Sequence, residues 1–257
     1  MTAFSFFTGL GASLGLWQIT RNSQPQHVRR LVDYGLIVLA AAWLGARIFF
    51  VALHAAFYST HVLEAFYFWE GGLAWPGAAA AALVALAVLA LVKRRSLAWL
   101  ADSLAPLTGP LAIGVWLGCW QSGVAYGAAL PAGAWWGVPA PDEAGLVSLR
   151  VPLQLLCAVV LLVYLWLVER GMAALVGRSH HPGLKAALFS LGLGLDLLAS
   201  SLLRADPVPH WGVLSVDTWW ALGVAGIGLG GIAASFLHVK RETRNVKRET
   251  RIVKRET

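Results

Sequence analysis

Charged residues are scarce in this chain of 257 residues: 13% are Asp, Glu, Lys or Arg, whereas 58% are hydrophobic. A soluble domain of this size carries about a quarter charged residues, so the composition excludes a soluble globular protein. Apolar runs extend along most of the chain, which predicts an all-α integral membrane protein. We expect one membrane domain over residues 1–238 and a basic tail over residues 239–257.

Cysteine and paired metal ligands are also nearly absent. Cys119 and Cys157 are the only cysteines, and each falls within an apolar run. We therefore interpret both as buried thiols, not as a disulfide or a metal pair. His54 and His61 have Glu64 and Glu70 nearby in sequence, but no histidines recur at helical i, i+4 spacing. We predict no metal site and no cofactor.

Seven apolar segments are long enough to cross a bilayer. The first has no basic residue before its apolar run and no small-residue cleavage site, which predicts a retained helix and not a signal peptide. The predicted segments are 3–20, 31–53, 73–92, 103–128, 152–168, 184–203 and 213–238.

The distribution of Lys and Arg predicts the orientation of these segments. With the N-terminus outside, seventeen of the twenty basic residues fall on the cytoplasmic side; the three others are Arg47, Arg150 and Arg204. Cytoplasmic loops carry an excess of Lys and Arg, so we expect the N-terminus outside and the C-terminus inside. Aromatic clusters at the outer ends, such as Trp135 and Trp136, are typical of an interfacial belt.

The tail repeats VKRET at 239–243, 246–250 and 253–257. One apolar residue recurs per heptad, which does not support a coiled-coil seam. A solvated tail that fixes topology is the preferred interpretation; binding to anionic lipid or to a cytoplasmic partner are the alternatives. Eight of the twenty basic residues lie in this tail, so the basic net charge does not indicate nucleic-acid binding.

Ionisable residues within apolar segments are expensive and indicate function by default. Arg47 lies near the predicted outer end of the second segment, Asp102 near the inner end of the fourth, and Asp196 in the middle of the sixth. A guanidinium matches phosphate oxygens, so Arg47 is predicted to pair with a carboxylate or a lipid phosphate, or to snorkel. For Arg204 we favour interfacial snorkelling or pairing with Glu64, Glu70 or Asp206.

Four stretches together resemble motifs of the bacterial prolipoprotein diacylglyceryl transferases. GARIFFVALH, which contains Arg47, resembles that family's Gly-Gly-Arg-Ile segment. WEGGLAWPG (69–77) resembles its Trp-Asp-Gly-Gly-x-x-x-His-Gly motif. The stretch 101–127 resembles its long Asp-x-x-Ala-Pro-Leu helix, which ends in Gly-Arg-Leu-Gly-Asn-x-x-Asn-Gly-Glu, and RVPLQL (150–155) resembles its Arg-His-Pro-x-Gln-Leu. The resemblance covers 31–170 well and is faint elsewhere.

The resemblance implies a multi-pass protein of the bacterial cytoplasmic (inner) membrane with seven helices. It also implies transfer of a diacylglyceryl group from phosphatidylglycerol to a lipoprotein cysteine, and a bound phospholipid. The retained motif residues that would contact lipid or phosphate are Arg47, Trp69, Glu70, Gly71, Gly72, Arg150 and Gln154. Several polar positions of the family motifs are replaced here, by Pro76, Trp116, Cys119, Ser122, Val124 and Val151.

Because these replacements remove the groups that would activate a thiol and stabilise a departing phosphate, the preferred hypothesis is a non-catalytic relative. Such a protein would act as a scaffold, a lipid-binding module or an accessory subunit, with membrane lipids and other membrane proteins as partners. The second hypothesis is an active transferase with relocated catalytic residues. The third is a small-molecule transporter, against which the absence of an inverted repeat counts.

Overall fold

The computed structural model describes residues 2–67, 71–141, 145–175 and 181–256, with side chains described over 3–67, 71–141, 145–172 and 181–238. Within these ranges the chain is almost entirely helical. The α-helices are α1 (Thr2–Asn22), α2 (Pro25–Leu53), α3 (Ala55–Tyr58), α4 (Trp75–Val92), α5 (Leu97–Ser122), α6 (Leu153–Leu175), α7 (Leu184–Leu203) and α8 (Val216–Glu256).

The connections between helices hold short extended segments. A 3₁₀ helix spans Val62–Phe66, and two antiparallel pairs of short strands interrupt the loops. They are β1 (Val138–Pro141) with β2 (Val147–Arg150), and β3 (His210–Trp211) with β4 (Leu214–Ser215). The first pair lies between α5 and α6, and its second strand ends at Arg150. The second pair lies between α7 and α8, a few residues after Arg204.

Six of the described helices are long and apolar enough to cross a membrane: α2, α4, α5, α6, α7 and α8. The prediction of an all-α membrane protein is therefore confirmed. The remaining long helix, α1, has 21 residues and is not one of these six.

Several helix ends differ from the predicted segments. The helices α2 and α5 begin at Pro25 and Leu97, earlier than the predicted 31 and 103. The fourth segment is predicted to run to 128, but α5 ends at Ser122 because Gly123 takes a left-handed conformation with φ 66°, which favours glycine and stops a helix. The last helix, α8, runs from Val216 to Glu256 and includes position 238, where we predict the tail to begin.

Glycines let two helix pairs, α1 with α5 and α7 with α8, approach closely, which is how helices commonly pack in membranes. A Cβ atom on Gly114 of α5 would lie 2.4 Å from the carbonyl oxygen of Phe7 in α1. A Cβ atom on Gly228 of α8 would lie 2.5 Å from the backbone nitrogen of Leu191 in α7. Gly226 and Gly230 of α8 have the spacing of a small-xxx-small pair, yet a Cβ atom on either would meet nothing within 4 Å.

Asp102 connects α5 to the start of α7. Its carboxylate accepts hydrogen bonds from the backbone N–H of Gly183 at 2.7 Å and of Ala186 at 2.9 Å. The first N–H groups of a helix have no partner within the helix, and a carboxylate there also interacts favourably with the helix dipole. Asp102 therefore has a structural role at the end of the bundle opposite Arg150.

Candidate functional site

Arg47 is buried, and its guanidinium is surrounded by backbone carbonyls. Nε donates to Ala65 at 2.9 Å, Nη2 to Glu64 at 2.6 Å, and Nη1 to Gly72 at 3.2 Å and to Gly71. The expected partner was a carboxylate or a phosphate. Backbone carbonyls that follow α2 in the chain instead provide the acceptors that a buried cation requires, so Arg47 ties residues 64, 65, 71 and 72 to α2.

The two glycines of this loop have the backbone conformation that the Arg47 contacts require. Gly71 and Gly72 have φ values of 94° and 68°, a region that residues with a Cβ rarely adopt. A Cβ atom on Gly72 would also lie 2.5 Å from the Phe50 ring and 2.7 Å from Nη1 of Arg47. Trp69 and Glu70, which precede these glycines, lie outside the described residues.

Arg150 and Gln154 contact the segment that follows α5. The Arg150 guanidinium is buried and lies 4.4 Å from the centre of the Tyr126 ring, a favourable cation–π distance. Gln154 is buried and donates from Nε2 to the carbonyl oxygen of Val124 at 2.8 Å. Two motif stretches that are about 25 residues apart in sequence are thus in direct contact.

Arg204 forms ion pairs with two carboxylates next to this segment. Nη1 lies 2.6 Å from Asp217, Nε donates to Asp206 at 2.7 Å, and Nη2 also bonds Asp206. Burial lowers the pKa of Arg204, but the hydrogen bond and negative charge of Asp206 outweigh this effect, so its pKa is raised overall. Of the alternatives considered for Arg204, which were snorkelling or pairing with Glu64, Glu70 or Asp206, the structure shows the pairing with Asp206, and Asp217 is an additional partner.

The contacts of Arg204 extend to two of the motif stretches. Asp206 accepts a hydrogen bond from the backbone N–H of Ala125 at 3.2 Å, and the Trp75 side chain lies next to Asp217. We call Trp75, Asp217, Arg204, Asp206 and Ala125 the Arg204 network. It joins the stretch that begins at Trp69 to the segment after α5, where Tyr126 stacks on Arg150.

Sequence reasoning missed Asp217 and placed Trp75 only within the stretch 69–77. A signal for Asp217 was present, because an acidic residue in the first turn of the last apolar segment lies at the same predicted end as Arg204 and Asp206. The resemblance is faint in the last two helices, so it gave no role to Asp217.

Trp116, at the position of a family arginine, forms a separate polar contact inside the bundle. Its Nε1 donates to Oδ2 of Asp196 at 2.8 Å, and both side chains are buried. Asp196 therefore has a hydrogen-bond partner within the protein, as a buried carboxyl in a membrane helix requires. Cys157, a buried free thiol, packs beside Trp116.

Two histidines and one cysteine complete the residues with possible chemistry. His54 and His61 are exposed, and Cys119 is a half-buried free thiol that packs against the cluster containing Trp116 and Ala125. Over the described ranges, no group of three or more His, Cys, Asp or Glu is arranged to hold a metal ion.

The fold and these contacts define a multi-pass helical membrane protein whose buried arginines gather at one end of the helix bundle. A family model described as prolipoprotein diacylglyceryl transferase matches residues 1–234. The chain belongs to the prolipoprotein diacylglyceryl transferase family.

Similar curated proteins have the same description. The protein of Thermosynechococcus vestitus is 26% identical over 236 residues, which is 84% of this chain and 85% of that protein. The protein of Cupriavidus metallidurans is 31% identical over 195 residues, or 72% of this chain and 68% of its own. The protein of Bacillus licheniformis is 37% identical over 117 residues, 44% of this chain and 43% of its own. Each is named phosphatidylglycerol–prolipoprotein diacylglyceryl transferase.

The hypothesis of a non-catalytic scaffold, lipid-binding module or accessory subunit is therefore wrong: the family model covers nearly the whole chain, and these relatives are named as transferases. That hypothesis looked for catalytic groups only at the positions of the family motifs. The structure places Arg204, Asp206 and Asp217, all outside the motifs, beside the retained motif residues.

Proposed function

We propose that this protein is a phosphatidylglycerol–prolipoprotein diacylglyceryl transferase whose electrostatic groups are partly relocated. The observation that carries the proposal is the match of the family model over residues 1–234. The Arg204 network supports it, because it brings retained motif stretches together through residues that the motifs do not contain.

The transfer requires two kinds of group. The cysteine sulfur of the lipoprotein precursor attacks the carbon of the diacylglyceryl group that carries the phosphate oxygen. A C–S bond forms as the C–O bond between that carbon and that oxygen breaks. The electron pair leaves with glycerol phosphate, and the thiol proton passes to a base. A cation must therefore stabilise the departing phosphate, and an acceptor must be close to the thiol.

Arg150 is our candidate for the cation. Its guanidinium is held on the Tyr126 ring, and a guanidinium presents paired donors that match phosphate oxygens. Arg204 is less suitable because Asp206 and Asp217 both compensate its charge. Arg204 and Gln154 act as positioning residues in this proposal, since both hold the segment that carries Tyr126.

Arg47 positions the other half of the proposed site. Its four carbonyl acceptors include Gly71, which directly follows Glu70 in sequence. We assign to Glu70 the role of proton acceptor for the thiol, and to Trp69, Gly71 and Gly72 that of lining the lipid site. A carboxylate can act as a general base towards a thiol that lies within hydrogen-bond reach.

The number of membrane helices and the orientation of the two termini are also part of the proposal. We propose that α1 is a seventh membrane helix, since it packs along α5 through Gly114, with the N-terminus outside and the C-terminus in the cytoplasm. In a variant lacking Cys119 and Cys157, we expect Asn22→Cys and Asn245→Cys to react with a membrane-impermeant thiol reagent only after the membrane is opened. Labelling of either position in intact spheroplasts would contradict the orientation.

The function is tested with purified protein, a lipoprotein signal peptide and phosphatidylglycerol in detergent. We expect mass spectrometry to show a peptide carrying one diacylglyceryl group, with release of an equal amount of glycerol phosphate. Phosphatidylcholine in place of phosphatidylglycerol and heat-treated protein are the controls. A folded protein that yields no more product than the heat-treated control, and that does not rescue a transferase-depleted strain, would overturn the proposal.

A further inference from the structure

A cavity of about 270 Å³ lies at the other end of the bundle, between the start of α2 and the turn that joins α4 to α5. Four basic residues line it: His27, Arg30, Lys93 and Arg95. Tyr34 and Trp99 also contribute to its wall. This concentration of basic side chains around one concave space indicates an anion as its ligand.

In the part of the chain whose side chains are described, the cations of this cavity form no ion pair with a carboxylate. Arg30, Lys93 and Arg95 are exposed, and none of them belongs to the ion pairs of those residues. Trp99 contacts two of the basic side chains. The Arg95 guanidinium lies 5.5 Å from the centre of the Trp99 ring, and the His27 ring packs edge-on against it at 6.0 Å between ring centres. The cavity therefore has a net positive charge with partly fixed donors.

The backbone of the α4–α5 turn brings two of these residues to the cavity. Arg94 has a left-handed conformation with φ 50°, where glycine is the usual residue. The backbone N–H of Arg95 then donates to the carbonyl oxygen of Ala90 at 2.9 Å, which ends α4 abruptly. Lys93 and Arg95 flank this strained residue, and both line the cavity.

Apolar side chains at the helix ends next to the cavity are exposed. Leu91 is 77% exposed, Val92 67% and Leu97 51%, so an acyl chain that runs along α4 or α5 would contact them. In the orientation proposed above, this end faces the cytoplasmic leaflet, where anionic lipids attract basic residues near the surface.

We propose that this cavity binds the phosphate of an anionic phospholipid headgroup. The site is distinct from the transfer site, because Arg30 and Arg47 are 17 positions apart on α2, a separation of about 25 Å along a helix. A free phosphate ion has the same chemistry, but the exposed apolar residues favour a lipid. The proposal is independent of the proposed transferase function, and either can fail alone.

The test measures binding of dioleoyl phosphatidic acid to the intact protein in detergent by native mass spectrometry. This lipid is chosen over phosphatidylglycerol, which would also occupy the transfer site in the proposed function. We compare Arg30→Gln/Arg95→Gln with the matched control Arg29→Gln/Arg94→Gln. Both doubles remove two guanidinium charges from neighbouring exposed positions, but only the first pair lines the cavity.

We expect phosphatidic acid to bind at least tenfold more tightly than phosphatidylcholine. Each basic residue near an anionic headgroup contributes roughly a factor of five in affinity, so Arg30→Gln/Arg95→Gln should weaken binding about 25-fold and Lys93→Gln about fivefold. The control double should stay within about twofold of the wild type. All variants should elute as single species with unchanged melting temperatures.

Three results would overturn the proposal. The first is equal affinity for phosphatidic acid and phosphatidylcholine. The second is an equal loss in the control double, which would indicate a diffuse surface charge. The third is displacement of phosphatidic acid by millimolar inorganic phosphate without any requirement for acyl chains, which would assign the cavity to a free anion.

Discussion

Replacement of Arg150 with Gln is expected to lower the rate of diacylglyceryl transfer about 100- to 1000-fold, the usual effect of removing one electrostatic stabiliser from an active site. The reason is that the departing phosphate would lose a cation that is buried against Tyr126. The measurement is single-turnover lipidation of the signal peptide by purified protein, together with the melting temperature in detergent. Arg150→Lys should recover part of the rate, because it keeps the charge but not the paired donors.

A matched control is available on α6, the helix that follows Arg150 in the chain. Arg170 of α6 also stacks on an aromatic ring, at 5.3 Å from Trp166, but at the opposite end of α6. Arg170→Gln should leave the rate within about twofold of the wild type. A rate for Arg150→Gln within about threefold of the wild type, or a loss of rate explained by a lower melting temperature, would contradict the role of Arg150.

Replacement of Arg204 with Leu is expected to lower the free energy of unfolding by about 3–5 kcal/mol, the range for breaking a buried ion pair by removing one partner. The Asp206 and Asp217 side chains are only 8% and 18% exposed, so both carboxylates would lose their counter-charge in a poorly solvated site. The melting temperature in detergent and the fraction of protein eluting as a single species measure this effect. Transfer activity should also fall, because Ala125 and Tyr126 would lose their support.

Two further variants test whether the lost ion pairs cause the destabilisation of Arg204→Leu. Lys185→Met removes an ion pair with Glu169, whose side chain is 42% exposed and lies at 3.6 Å; exposed pairs contribute about 0–1 kcal/mol, so its melting temperature should change little. Replacing Asp206 and Asp217 with Asn in the Arg204→Leu protein should restore part of the lost stability, since the uncompensated charges are gone. Unchanged melting of Arg204→Leu would show that the network does not support the fold.

The motif stretches show which properties could be predicted from the sequence and which could not. The family and the membrane helices were recognisable because apolar length and motif spacing are local properties of the chain. The non-catalytic hypothesis failed because it considered each lost polar residue only at its own position. Asp217 is 13 residues from Arg204 in sequence and Trp75 is more than a hundred residues away, so only packing could show that they share one network.

The contacts of Arg47 could likewise be predicted only in part from the sequence. Its burial was predictable, since an arginine in an apolar helix must find partners. Its partners were not, because they are carbonyl oxygens of the loop from Glu64 to Gly72. Every residue has a carbonyl oxygen, so no side-chain pattern can indicate which of them will accept.

The sequence by itself determined that this protein is helical and membrane-embedded, that it belongs to the transferase family, and which motif positions are changed. These properties depend on hydrophobicity, charge and spacing along the chain. The tertiary structure decided which groups meet: Arg47 with the loop carbonyls, Trp116 with Asp196, Arg150 with Tyr126, and Arg204 with Asp217. Such contacts join distant segments, and their geometry depends on how the helices pack against each other.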